Sequence, residues 1–150
     1  MKKKIKSIFS KVLFGEEASA HCDGPCGVYD GASAEIAARA AVSMTKKLLE
    51  LTTPTPQSSP EDKLNYHHTV ARYTLIKEEQ SEIAKRELLI LWTDFFKPEH
   101  LDAFPDLHEF IWKLAKQCSY VKQHVDLEAA EKMHADIMKL AEMHHQASHH

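Results

Sequence analysis

Glycine and proline are scarce in this chain, with four and six residues among 150. A sandwich or barrel of short strands needs many such turn residues, so a turn-rich β fold is excluded and long helices have room. Cysteine is nearly absent too. Cys22, Cys26 and Cys118 are too few, and odd in number, for a disulfide framework. They leave the redox compartment open. No stretch of about 18 uncharged apolar residues exists, which excludes a membrane-spanning helix. The body also lacks positive charge. Residues 1–20 carry five lysines against two glutamates, so the remaining 130 hold −6 where the whole chain is −3. An acidic body argues against a nucleic-acid partner. An anionic substrate would be drawn in only by local positive groups. What is present is ordinary: 43% hydrophobic and 27% charged residues, at a length that suits one domain with a sizeable core.

The first twenty residues, MKKKIKSIFSKVLFGEEASA, read as a segment removed by processing. Lys2, Lys3, Lys4 and Lys6 make a basic start, and Ala18-Ser19-Ala20 is a small-residue end of the kind cut in secretory signals. The middle departs from that pattern. Lys11 interrupts the apolar run, and Glu16 and Glu17 crowd the junction. Ile5, Ile8, Phe9, Val12 and Leu13 instead follow helical spacing. A cytoplasmic propeptide cut after Ala20 by a dedicated protease fits better than export. Export and an uncleaved basic tail are the alternatives.

From Ala32 the pattern is helical. Ile36, Ala40, Met44 and Leu48 recur every fourth position, with Leu51 closing the stripe. Thr53-Pro54-Thr55-Pro56-Gln57-Ser58-Ser59-Pro60 breaks it. Ser59 can cap a second helix, with Pro60 at its first position and Glu61 and Asp62 in its first turn. That helix is predicted to run to about Phe95, long enough for a kink or interruption near Tyr66–Thr74 to be compatible with it, and with a clear later face of Ile83, Leu88, Leu91, Trp92 and Phe95. Lys97-Pro98 is a boundary, followed by a short turn over 98–103. A third face then holds Leu107, Phe110, Ile111, Leu114, Ala115, Cys118 and Val121. Asp126 can cap a last helix with Ala130, Met133, Ile137, Leu140 and Ala141 on one side. The expectation is an all-α, up-and-down four-helix bundle over 32–150, preceded by an irregular hook at 21–31.

The hook, His21-Cys22-Asp23-Gly24-Pro25-Cys26-Gly27-Val28-Tyr29, fits neither helix nor strand. Cleavage before His21 would give it a free α-amine, with a reference pKa near 7.7–8.0. That amine, the Cys22 backbone nitrogen and the Cys22 sulfur can form linked five-membered chelate rings. Asp23-Gly24-Pro25 can turn the chain back so that Cys26 adds a second thiolate, and a cis Gly24–Pro25 bond would tighten the return. Planar sets of two nitrogens and two sulfurs suit nickel(II) or copper(II). The His21 ring is available as an axial ligand. Such donors stabilise nickel(III), which the bare ion resists, and zinc has no comparable redox chemistry. Two plainer readings of Cys22 and Cys26 stand beside this one: a disulfide, or half of a zinc site. A closed zinc site needs four ligands, and no second cysteine pair exists.

The segment HCDGPCGVYD resembles the N-terminal signature of the nickel superoxide dismutases. Two further blocks agree: Thr74-Leu75-Ile76-Lys77-Glu78 with Leu91-Trp92-Thr93-Asp94-Phe95-Phe96-Lys97-Pro98, and Phe104-Pro105-Asp106-Leu107-His108. The resemblance spans most of 21–125. It implies a right-handed four-helix bundle assembled as a homohexamer, processed to expose the histidine amine, with one nickel per subunit cycling between the divalent and trivalent states to convert superoxide into dioxygen and peroxide. His21, Cys22 and Cys26 would be ligands, Tyr29 would stand beside the open face of the metal, and Asp23 would hold the hook against the bundle. Two positions depart from the family pattern. Ala37 and Gln80 stand where a glutamate and an arginine buttress the axial histidine, with Glu35 or Glu79 as substitutes. Gly24 replaces a larger apolar residue.

A rival expectation is a nickel- or copper-binding or delivery protein without redox turnover. Among other singled-out residues, Cys118, Trp92 and Phe95 read as core. Lys97 is either a solvated lysine or a local guide for superoxide. His67, His68, His144, His145, His149 and His150 read as ordinary exposed histidines, with nickel gathering by the tail as the alternative use.

Overall fold

A computed structural model describes residues 27–149. Four helices make the body: α1 Ala32–Leu49, α2 Pro60–Ile90, α3 Leu107–Gln123 and α4 Leu127–Ser148. Five residues of π-helix, Leu91–Phe95, extend α2, and a 3-10 turn covers Pro98–Asp102. No strand occurs among the described residues. α1 packs on α2 and α4, and α3 packs on the same two, so each helix flanks its chain neighbours as an up-and-down bundle requires. The leader and the first six residues of the hook lie outside the described residues.

The caps are where the turn chemistry puts them. Ser59 Oγ accepts from the Asp62 amide at 3.0 Å, and Pro60 occupies the first helical position. Asp126 Oδ1 accepts from the Ala129 amide at 3.0 Å and starts α4. No kink or interruption falls near Tyr66–Thr74, where the length of the helix allowed one. α2 runs unbroken for 31 residues, about 46 Å at 1.5 Å each, and irregularity is confined to Leu91–Phe95.

The faces of α3 and α4 match their stripes: Leu107, Ile111, Leu114, Ala115, Cys118 and Val121 are buried, as are Ala130, Met133, Ile137 and Leu140. The stripe expected on α1 is displaced. Ile36 is 58% exposed, whereas Ala34, Ala37, Ala38, Ala41, Val42 and Thr45 are buried. Small side chains let α1 lie close against α2 and α4, so close approach rather than side-chain size chose the inner face.

Lys77, within the Thr74–Glu78 block, is 1% exposed. Its ammonium donates to the carbonyls of Val121, Lys122 and His124 at 2.6, 2.8 and 3.0 Å. These belong to the C-terminal end of α3, where carbonyls lack intrahelical partners and the helix dipole favours a cation. Burial pushes the Lys77 pKa down, while the nearby Glu78 carboxylate pulls it up. One side chain of α2 thereby closes the end of α3 at the turn into α4.

Candidate metal centre

Gly27, the first described residue, has φ +81°, a left-handed conformation that glycine alone adopts without strain. Tyr29 follows, half-buried, its ring edge-on to Phe95 with centroids 5.9 Å apart. Asp30 Oδ1 accepts from the Ala32 amide at 2.8 Å and fixes the entry into α1. Gly31 lies against α4 so tightly that a Cβ there would stand 2.6 Å from Ala141 Cβ and 3.0 Å from its Cα. Four consecutive local devices thus fix the chain leaving Cys26 to one end of the bundle.

Phe95 is the centre of that end. It packs on Phe96 at 5.1 Å, stacks on His100 at 5.5 Å and meets His144 of α4 at 4.2 Å. Its placement depends on the π-helical stretch. The Phe96 amide bonds to the carbonyl of Leu91, five residues back, at 3.0 Å. This wider turn brings Phe95 under Tyr29 while Phe96 is buried in the core. Such insertions often re-aim side chains at functional sites. Thr93 takes up a carbonyl at this irregularity, its hydroxyl donating to the Leu89 oxygen at 2.9 Å. Trp92 Nε1 donates to His108 Nδ1 at 2.8 Å, tying the segment to the start of α3.

A small cavity of about 80 Å³ opens beside Tyr29, lined by Val28, Asp30, Ser33, Glu87 and Leu91 among others. His144 is partly buried, and that burial pushes its pKa down. The neighbouring Asp30 carboxylate opposes the shift, and His145 adds to it.

His21, Cys22, Asp23 and Cys26 lie outside the described residues, as does the Gly24–Pro25 bond. Of the sequence-predicted site residues, only Tyr29 is placed. Ala37 is buried, Gln80 and Glu35 are half-buried, and Glu79 is exposed. Among the described residues, no group of three or more histidine, cysteine, aspartate or glutamate side chains could hold a metal ion. Cys118 is no ligand candidate, because it is buried in the core and burial pushes its thiol up to about 12. A nickel ion suits the two thiols, imidazole and backbone nitrogens of 21–26, a soft and strongly donating set. In the sequence Phe95 reads as core and His144 as an exposed histidine, while Asp30 and Gly31 have no role assigned to them. A legible signal existed for Asp30, inside the signature segment, and for Phe95, inside the Leu91–Pro98 block.

Residues 16–148 match the family described as nickel-containing superoxide dismutase. The superoxide dismutase [Ni] of Streptomyces seoulensis is 36% identical over 116 residues, 77% of this chain and 79% of that protein. The protein of the same name from Streptomyces coelicolor is 36% identical over 114 residues, 76% and 77% of the two chains. A native nickel superoxide dismutase structure superposes with a TM-score of 0.71 at 31% identity, covering 85% of this chain and 99% of that one. A structure whose nickel ligation corresponds to the oxidized state gives 0.71 at 32% identity, covering 87% and 100%.

Proposed function

This chain belongs to the nickel-containing superoxide dismutases, and from that membership we propose how its own residues carry the activity. The enzyme is an oxidoreductase that disproportionates superoxide, and its cofactor is nickel. In our reading the chain is cut between Ala20 and His21 in the cytoplasm by a dedicated protease. The new α-amine and ring of His21, the Cys22 amide nitrogen and the thiolates of Cys22 and Cys26 then hold one nickel per subunit. When bound, nickel in this donor set supplies a one-electron couple between its divalent and trivalent states.

One observation carries this reading: the anchoring of residues 27–31 at the Phe95 end of the bundle. Cys26 is bonded to Gly27, and a chain spans at most about 3.6 Å per residue. The whole donor segment is therefore confined within about 22 Å of Gly27. Tyr29, set on Phe95, borders that space and narrows the approach of small molecules from the bundle side. Asp23 helps hold the segment against the bundle. The −6 charge of the processed chain offers superoxide no general attraction, so access relies on local groups.

We also propose a homo-oligomer, a hexamer by family resemblance. Leu64, Leu75 and Ile83 of α2 are 69%, 58% and 41% exposed in the single chain, and apolar residues on a long helix are natural contact points between subunits.

The test compares three chains loaded with nickel: one beginning at His21, the full 150 residues, and the processed Cys22→Ser/Cys26→Ser variant. The first alone should remove superoxide faster than free nickel and show thiolate-to-nickel absorption. A processed chain no better than free nickel would overturn the reading. Bound, exchangeable nickel without turnover would assign a delivery role instead. A fully active uncleaved chain would overturn the processing step.

A further inference from the structure

Of the eleven histidines in the chain, only His145 and His149 stand four residues apart. Both lie at the end of α4, both are exposed, and their rings meet with centroids 4.5 Å apart. Residues at this spacing face the same way along a helix, and paired imidazoles so placed can chelate a divalent ion. The last turn holding them is well formed: Ser148 Oγ donates to the His144 carbonyl at 2.8 Å, and the His149 amide to the Gln146 carbonyl at 3.3 Å. Unpaired carbonyls at a helix C-terminus also favour a cation.

The position matters as much as the pair. His144, next to His145, packs on Phe95 at 4.2 Å, and Phe95 meets Tyr29 three residues after Cys26. The pair and Tyr29, three residues beyond the donor segment in the chain, therefore share one end of the bundle. We propose that His145 and His149 form a two-imidazole entry site for nickel(II), which captures the ion and passes it to the donor segment by ligand exchange. This rests on the nickel reading given above. Two imidazoles, with water completing the coordination, bind nickel reversibly, whereas two thiolates and an amide nitrogen hold it more strongly. Transfer runs downhill from the first to the second.

The first experiment uses the untagged full chain carrying Cys22→Ser/Cys26→Ser, titrated with nickel(II) chloride by calorimetry and by paramagnetic broadening of imidazole NMR signals. One ion should bind, with the His145 and His149 signals broadened first. Adding H145Q/H149Q should weaken that binding at least about tenfold, and H145Q alone should do nearly as much, since chelation needs both rings. Unchanged affinity, or broadening centred on His67 and His68, overturns the proposal. The second follows thiolate-to-nickel absorption in the processed chain at limiting nickel. H145Q/H149Q should slow its rise while leaving the plateau at saturating nickel unchanged. An unchanged rate or a lowered plateau overturns the transit role. If that absorption never develops in the parent chain, the nickel reading of the hook fails, and the cysteine-free titration still decides whether the pair binds.

Discussion

Single residues at the hook end of the bundle carry more than their size suggests. Gly31 is needed because a methyl group would meet Cβ and Cα of Ala141, atoms fixed to the α4 backbone that cannot swing away. Gly31→Ala should therefore cost about 1–3 kcal/mol in urea unfolding. It should also shift the Tyr29 ring signals, because α1 must retreat from Ala141. Cys118 shows the opposite case, a reactive residue type made inert. Its thiol is pushed up from 9.0 to about 12, chiefly by burial, with nearby Lys85 opposing. In the folded protein it should resist thiol reagents at pH 8, while Cys22 and Cys26 of the metal-free chain react. The sign of its pH effect follows from linkage. The unfolded thiol ionises near 9 and the folded one does not, so the unfolded state binds fewer protons between about 9 and 12. Its contribution to stability is constant below 9 and declines as pH rises through that window. Cys118→Ala should flatten the decline in a series of melts across pH 8 to 11.

At the scale of elements, the Lys77 cap joins three helices: α2 supplies the ammonium, α3 the carbonyls, and α4 begins three residues after the last of these, at Leu127. Lys77→Met keeps the buried stem but strands three carbonyls. It should lower stability by about 2–3 kcal/mol in chemical unfolding, with the loss of protection concentrated at the α3–α4 turn in hydrogen exchange. The block containing Lys77 is legible in the sequence only through resemblance. Nothing local distinguishes a lysine that caps a helix 44 residues away from one in solvent. The helices themselves were legible where their signals are local, as with Ser59-Pro60 at the start of α2 and Asp126 at the start of α4. The inner face of α1 was misread because alanine scores weakly as apolar, although it is what close helix contact selects. The π-helical stretch was hidden for a similar reason. Its backbone widens in response to what Phe95 and Phe96 pack against, which no local pattern encodes.

For the whole molecule, the single chain leaves apolar side chains of α2 uncovered, and assembly would cover them. Leu75→Glu should move sedimentation toward smaller species, with helical circular dichroism unchanged. A chain that already sediments as a monomer, unaffected by the substitution, would contradict the proposed oligomer.

The sequence by itself determined the helical class and the boundaries set by caps and prolines, because these depend on neighbours within a few residues. Only the tertiary structure decided that Phe95, His144, Asp30 and Tyr29 meet, that Gly31 touches Ala141, and that Lys77 closes α3. These contacts join residues far apart in the chain, and they form only when packing in three dimensions brings them to one place.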